Sequence, residues 1–137
     1  MAVNILRFLI PKSLVEYIDA NSTIRQAIEK MSYHRYTAIP VIDEDGTYLG
    51  TLRNEDILKY ILSDGSFTLY EAEDHSVGEI LDPGQTKPLS HSASMKDLVE
   101  SVKEHNYVPI VDDRDCFIGL ILRRDVLNYL LKFYKDE

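Results

Sequence analysis

Hydrophobic and polar positions follow one arrangement that the chain uses twice. Ile24, Ala27, Ile28 and Met31 recur at helical spacing and share one face of a helix, which Asn21 or Ser22 is placed to cap and which ends near Tyr33 or His34. Ala38 to Ile42 follows as a short, nearly all-apolar run, Asp43-Glu44-Asp45-Gly46 is turn chemistry, and Tyr48 to Leu52 brings the chain back as the second arm of a hairpin. From Asn54, a second capping candidate, Ile57, Leu58, Ile61 and Leu62 form another helical stripe, which Gly65 is placed to stop. Ahead of the first helix, Ile5 to Ile10 is an apolar stretch closed by Pro11, and Leu14 to Ile18 alternates as a short half-buried strand does. The predicted unit is strand, helix, strand, strand, helix.

The hairpin and its helix return 69 positions later: Pro40 matches Pro109, Asp43 matches Asp112, Gly50 matches Gly119, Asp56 matches Asp125 and Tyr60 matches Tyr129, without a gap. A tandem repeat fixes the unit of folding. In the second copy Ser92 or Ser94 caps a helix bearing Met95, Leu98, Val99 and Val102. The hairpin is Val108–Val111 with Phe117–Leu122, and Val126, Leu127, Leu130, Leu131 and Tyr134 form the last stripe. Thr23 and Ser94 are 71 positions apart, so the second copy has lost two residues between its first helix and the hairpin. Phe67 to Asp74 is acidic and without clear period, and serves as the connection; Val77 to Leu81, closed by Pro83, is a short apolar element of the same design as the stretch ending at Pro11. The expected division is 1–66 for the first repeat with its lead-in and 67–137 for the connection and second repeat.

Composition narrows the function more than the fold. Each copy has only some 60–70 residues, a size at which a domain is marginal alone, so the copies are expected to share a core. The net charge of −8 has no basic run to offset it, which speaks against nucleic acid and anionic membrane as partners, and any anionic ligand must be held locally. No apolar run approaches membrane-spanning length and no secretory leader is visible, so a cytoplasmic protein is expected. The single cysteine, Cys116, lies beside an apolar strand and reads as a packed residue.

The strand ending in Pro-apolar-apolar-Asp, followed by Gly and then an Asp at the strand-to-helix junction, resembles the CBS domain, here as a tandem pair or Bateman module running from about Leu6 to Tyr134. The stretch from Met31 to Pro40 is also similar to small stand-alone CBS proteins of Gram-positive bacteria. The resemblance implies an α/β (α+β) fold of two β-α-β-β-α repeats packed about a pseudo-twofold axis. It further implies clefts for adenosine-containing ligands: AMP, ADP, ATP, S-adenosylmethionine or cyclic di-AMP. A carboxylate in a helix's first turn can accept from both ribose hydroxyls, and the free N–H groups there attract a phosphate; Asp56 and Asp125 occupy that place. The plainer alternative for a single such Asp is complementing the helix dipole, worth about 0.3–1 kcal/mol.

The family's Thr or Ser before that Asp is replaced by Arg53 in one copy and Leu122 in the other. Arg53 is expected to offer a phosphate donor, or to fill the cleft with its bulk, and Leu122 offers no donor. The Arg53 cleft is therefore expected to take the more anionic ligand. Thr37 and Ala38 border the strand that, in the family, reads the adenine edge; Tyr107 is placed like Ala38, and Pro40 and Pro109 complete the expected contacts. Arg123, Arg124, Lys12, Arg35 and Lys87 are further basic candidates, the first two at a helix start where a cation opposes the dipole unless an anion lies there. The four histidines lack metal-ligand spacing and there is no Gly-rich phosphate loop. The expected function is thus a non-catalytic ligand sensor, needing no cofactor, that forms a homodimer and signals to an unidentified effector protein. The alternative is a structural or protein-interaction dimer whose clefts are closed by Arg53, Leu122 and Tyr107.

Overall fold

In the computed structural model the chain is described at residues 3–64, 69–82, 84 and 87–134. In chain order its elements are β1 (Ile10–Pro11), β2 (Ile18–Asp19), α1 (Ile24–His34), β3 (Ala38–Ile42), β4 (Tyr48–Arg53), α2 (Asn54–Asp64), α3 (Leu69–Asp74), α4 (Val77–Ile80), β5 (Leu89–Ser90), α5 (Met95–Glu104), β6 (Tyr107–Val111), β7 (Phe117–Leu122) and α6 (Arg123–Leu131). Both copies carry the expected strand, helix, strand, strand, helix order. The fold is α/β.

The first compact unit is Glu16–Gln85. Its sheet runs β2-β3-β4, with β2 parallel and β4 antiparallel to β3. A parallel pair needs a crossover, and α1 supplies it. Ile18, Ala27, Met31, Ile39, Val41, Leu52, Ile57 and Val77 form the core. The cap of α1 is Thr23 rather than Asn21 or Ser22. Its hydroxyl accepts the Gln26 N–H at 3.0 Å while the Gln26 side chain accepts the Thr23 N–H at 2.9 Å. Asn21 is used one turn earlier, where its N–H donates to the Asp19 carboxylate at 2.7 Å. Arg35, with φ at 59°, ends the helix in the left-handed region. This turn is where α1 and α5 part company, since α5 ends at His105 in extended backbone.

Three further sequence expectations are corrected. The strand expected over Leu14–Ile18 is only Ile18–Asp19, because a 3-10 turn over Lys12–Leu14, closed by the Val15 N–H on the Lys12 carbonyl at 3.1 Å, takes up the residues before it. Asn54 is the first residue of α2 rather than a cap ahead of it. The acidic connection contains α3, where Ala72 is fully buried and Glu73 pairs with Arg25 of α1, and the apolar element after it is the short helix α4 under a Ser76–Glu79 capping box. Gly65 and Pro83 lie outside the described residues.

The second unit joins Met1–Val15 to Thr86–Glu137. Its sheet runs β1-β7-β6-β5, with β5 parallel and β7 antiparallel to β6, and with β1 added antiparallel along the outer edge of β7. Ser94 caps α5, its hydroxyl accepting the Asp97 N–H at 3.1 Å. The core is Ile5, Leu98, Val102, Val108, Ile110, Ile121 and Val126. Ile5 comes from a 3-10 helix, Ile5–Phe8, whose Phe8 ring meets Tyr129 of α6 edge-on at 5.3 Å while the Arg7 guanidinium lies 4.7 Å from the Tyr129 centroid.

The compact units are thus not continuous halves of the chain. Each lead-in packs with the other copy: Val77, ahead of the second repeat, lies in the first unit's core, and β1, ahead of the first repeat, pairs with β7. The hairpins match residue for residue. Ala38 stands opposite Arg53 as Tyr107 stands opposite Leu122, and both ladders slip one residue further on, at Val41/Ile42 and Ile110/Val111.

Candidate ligand site at the strand-to-helix junctions

Neither hairpin has a loop before its helix. Arg53 ends β4 and Asn54 begins α2; Leu122 ends β7 and Arg123 begins α6. The first helical N–H is tied back to the residue ahead of the hairpin, Asn54 donating to the Thr37 carbonyl at 3.0 Å and Arg123 to the Asn106 carbonyl at 2.8 Å. These bonds gather Thr37, Ala38, Arg53 and Asp56 at one junction and Tyr107, Leu122, Arg123 and Asp125 at the other. Thr37 is exposed, and Ala38, Arg53, Tyr107, Leu122, Arg123 and Asp125 are half-buried.

Pro40 and Pro109 do not join them. Both are buried inside the hairpin, opposite Thr51 and Leu120. A proline has no N–H for a ladder and is normally kept out of central strands. Here β2 and β5 begin their pairing only at Val41 and Ile110, one residue beyond, so neither proline has a ladder neighbour on that side.

The two junctions use their carboxylates differently. In the first, Asp56 accepts the Arg53 backbone N–H through Oδ2 at 2.8 Å and Arg53 Nη2 through Oδ1 at 3.3 Å, while Arg53 Nη1 lies 2.8 Å from Glu55 Oε1. The Asp56 side chain is 4% exposed. Thus the guanidinium expected to meet a phosphate already faces two carboxylates, and its Nε is buried without a hydrogen-bond partner. A carboxylate at the third helical position commonly bonds back to the N–H at the cap, as Asp56 does.

In the second junction no protein hydrogen bond or ion pair holds Asp125 among the described residues. Leu122 has no group to fold over the helix start. Arg123 turns instead toward α5, donating from Nε to the Val102 carbonyl at 2.7 Å, which fixes the stem of the guanidinium. Arg124 is exposed. The sequence reading missed Glu55 as the partner of Arg53, although a carboxylate two residues on was a visible signal. It had no means of finding the Val102 carbonyl, 21 residues away in sequence.

Of the other basic candidates, Arg35 ends α1 and Lys87 is exposed. Three of the histidines stand beside single carboxylates: His34 near Glu16, His75 near Glu79 and His91 near Asp113. Among the described residues no group of three or more His, Cys, Asp or Glu is placed to hold a metal, and no helix is long and apolar enough to cross a membrane.

Residues 10–63 and 74–132 each match the CBS domain. The chain belongs to the CBS-domain family. Two CBS repeats thus account for both hairpins and both helix junctions. The chain is similar to small CBS-domain proteins of Gram-positive bacteria: CbpB of Listeria monocytogenes, solved in complex with c-di-AMP, superposes with a TM-score of 0.84 at 20% identity over 96% of this chain and 97% of that one. CBSX2, solved in complex with AMP, gives a TM-score of 0.75 at 19% identity, covering 96% of this chain and 98% of that one. Among curated relatives, a homoserine O-acetyltransferase of Methanobrevibacter ruminantium is 28% identical over 129 residues, 90% of this chain but only 23% of the enzyme. This CBS pair spans about a quarter of that relative.

Proposed function

We propose that this CBS pair is a non-catalytic regulatory module that senses an adenosine-containing ligand at a strand-to-helix junction, with AMP and c-di-AMP as the first candidates. Asp125 carries the reading. It is a half-buried carboxylate at the third position of α6 with no protein partner among the described residues, flanked by Arg123, whose stem is fixed, and by the exposed Arg124. A carboxylate there suits the two ribose hydroxyls, and helix N–H groups beside two guanidinium groups suit a phosphate. Tyr107, across the ladder from Leu122, supplies a ring against which a base can stack. The c-di-AMP and AMP bound by CbpB and CBSX2 support the ligand class. Differential scanning fluorimetry with AMP, ADP, ATP, S-adenosylmethionine and c-di-AMP tests it: a ligand at about 100 times its Kd stabilises by roughly 2.7 kcal/mol. No shift with any of the five would refute it.

A second reading, an interaction module that works by homodimerisation, is favoured by a separate observation. Leu58 and Leu62 on α2 and Leu127 and Leu131 on α6 are 54%, 71%, 48% and 63% exposed. Apolar rows of this kind mark interfaces more often than solvent-facing helices. The proposed assembly is a homodimer acting in the cytoplasm on a separate effector protein. Sedimentation equilibrium at micromolar concentration decides the dimer, and a monomer there rejects it.

A further inference from the structure

We infer that Arg53 holds the first repeat's junction closed, so that the chain takes its adenosine-containing ligand at the second repeat alone. The inference rests on the sensing function proposed above and concerns which of the two equivalent places is usable. It reverses the asymmetry that the residue types alone suggested.

A ligand's ribose would need the oxygens of the first-turn carboxylate. In the first repeat both are taken, Oδ2 by the Arg53 backbone N–H and Oδ1 by Nη2 of the same residue. The Asp56 side chain is 4% exposed and that of Arg53 22%, so the lid over the carboxylate is the arginine itself. Glu55 clamps the guanidinium from the other side through Nη1. Although Nε is buried without a hydrogen-bond partner, the guanidinium is held by its two carboxylates, an arrangement that a neutral or anionic ligand has to break before it gains anything. Its cation is also spent, because two carboxylates outnumber it. The junction as a whole presents an incoming phosphate with net negative charge.

The second repeat cannot build this closure. Leu122 replaces Arg53 at the same register position and Arg124 replaces Glu55, so the sequence Arg53-Asn54-Glu55-Asp56 becomes Leu122-Arg123-Arg124-Asp125. The local charge changes sign, and Asp125 keeps its oxygens free of protein partners among the described residues. One repeat is self-occupied and the other is open.

Isothermal titration of the full chain with AMP, and in a parallel series with c-di-AMP, tests this on the wild type, Arg53→Thr, Asp125→Ala and the double variant, each first checked for an unchanged unfolding midpoint. For whichever probe binds, the number of sites per chain should double in R53T. D125A should lose the wild-type site by tenfold or more in Kd, and the double variant should recover one site. An unchanged site number in R53T, or wild-type binding that survives D125A, overturns the closure while leaving ligand sensing intact. Absence of binding by either probe to both wild type and R53T overturns ligand sensing and the closure with it. The closure is followed independently by the guanidinium resonances of Arg53 in the wild type, which should stay unmoved on adding ligand because Nη1 and Nη2 remain on Glu55 and Asp56; a shift there on binding overturns it.

Discussion

A Cβ on Gly119 would lie 2.2 Å from the carbonyl oxygen of Ile10. The glycine is therefore what lets β1 lie against β7, and its φ of +152° adds a backbone conformation that L side chains rarely adopt. Gly50, its repeat equivalent, has φ of +154° but meets only the Leu81 side chain, at 3.3 Å. A side chain can shift by a few tenths of an ångström where a hydrogen-bonded strand cannot. Gly119→Ala should thus be the more damaging of the two, by roughly 1–3 kcal/mol beyond the strain they share. Urea unfolding of both variants measures the difference, and equal losses would show that β1 yields as easily as Leu81.

The lead-in should stabilise the copy it does not precede. Ile5 is fully buried in the second unit's core. Ile5→Ala is expected to cost about 2–5 kcal/mol, as large-to-small core changes do. Amide hydrogen exchange locates the loss: protection should fall first in β6, β7 and α6, whereas a fall confined to β3 and β4 would contradict the pairing of lead-in and repeat.

Tyr48 and Thr51 share a buried hydrogen bond of 2.7 Å between their hydroxyls, at positions where the second repeat has Phe117 and Leu120. Tyr48→Phe should therefore preserve the fold and cost about 0.5–1.5 kcal/mol. Burial pushes the Tyr48 phenol up to about 12, partly offset by the Thr51 bond. Because the folded state favours the neutral phenol, that contribution is complete below the ordinary tyrosine pKa of about 10 and disappears as pH rises toward 12. In Tyr48→Phe the alkaline fall in unfolding free energy should be shallower than in the wild type; superimposable alkaline limbs would refute the assignment.

On the acid side three carboxylates act in the opposite sense. Asp112 is held below its usual range by the backbone N–H groups of Arg114 and Cys116, at 2.8 and 3.0 Å. Glu79 is lowered chiefly by the Ser76 N–H, and Glu16 by its hydrogen bond and charge interaction with Lys30. A depressed carboxylate stabilises above its unfolded pKa and loses that contribution as pH falls through its folded one. The melting temperature should stay level from about pH 7 to pH 5 and drop below about pH 4. Asp112→Asn, which keeps a carbonyl acceptor, should flatten part of the drop, and an unaltered acid limb would exclude Asp112 as a contributor.

The hairpins and the four long helices were legible because their signals are local: alternation, periodicity and a repeat that reported the same pattern twice. The 3-10 helix carrying Ile5, the strand β1 and helix α3 were not. Among the described side chains the 3-10 helix buries only Ile5, α3 only Ala72 and β1 none, too few for a periodic pattern. The partners of Ile5 and β1 also stand about a hundred residues away in sequence. The site was half legible. Repeat matching found Asp56 and Asp125, and residue type singled out Arg53, but type alone could not tell a guanidinium facing a ligand from one folded onto Glu55 and Asp56. That distinction depends on rotamer and burial. The burial of Pro40 and Pro109 in the ladder was likewise not legible from their place in the motif.

The crossed lead-ins also set an order of events during synthesis. Every residue of the first unit, Glu16 to Gln85, leaves the ribosome as one uninterrupted piece, whereas β1 emerges early and finds β7 only after about 110 further residues have been made. At about 5–20 residues per second, that is an interval of roughly 5–20 s. Throughout it the Ile5-Leu6-Arg7-Phe8-Leu9-Ile10 stretch waits for β7 and α6, so of the two units the second can close only after the first has been made, and until then these apolar side chains are open to chaperones and to neighbouring nascent chains.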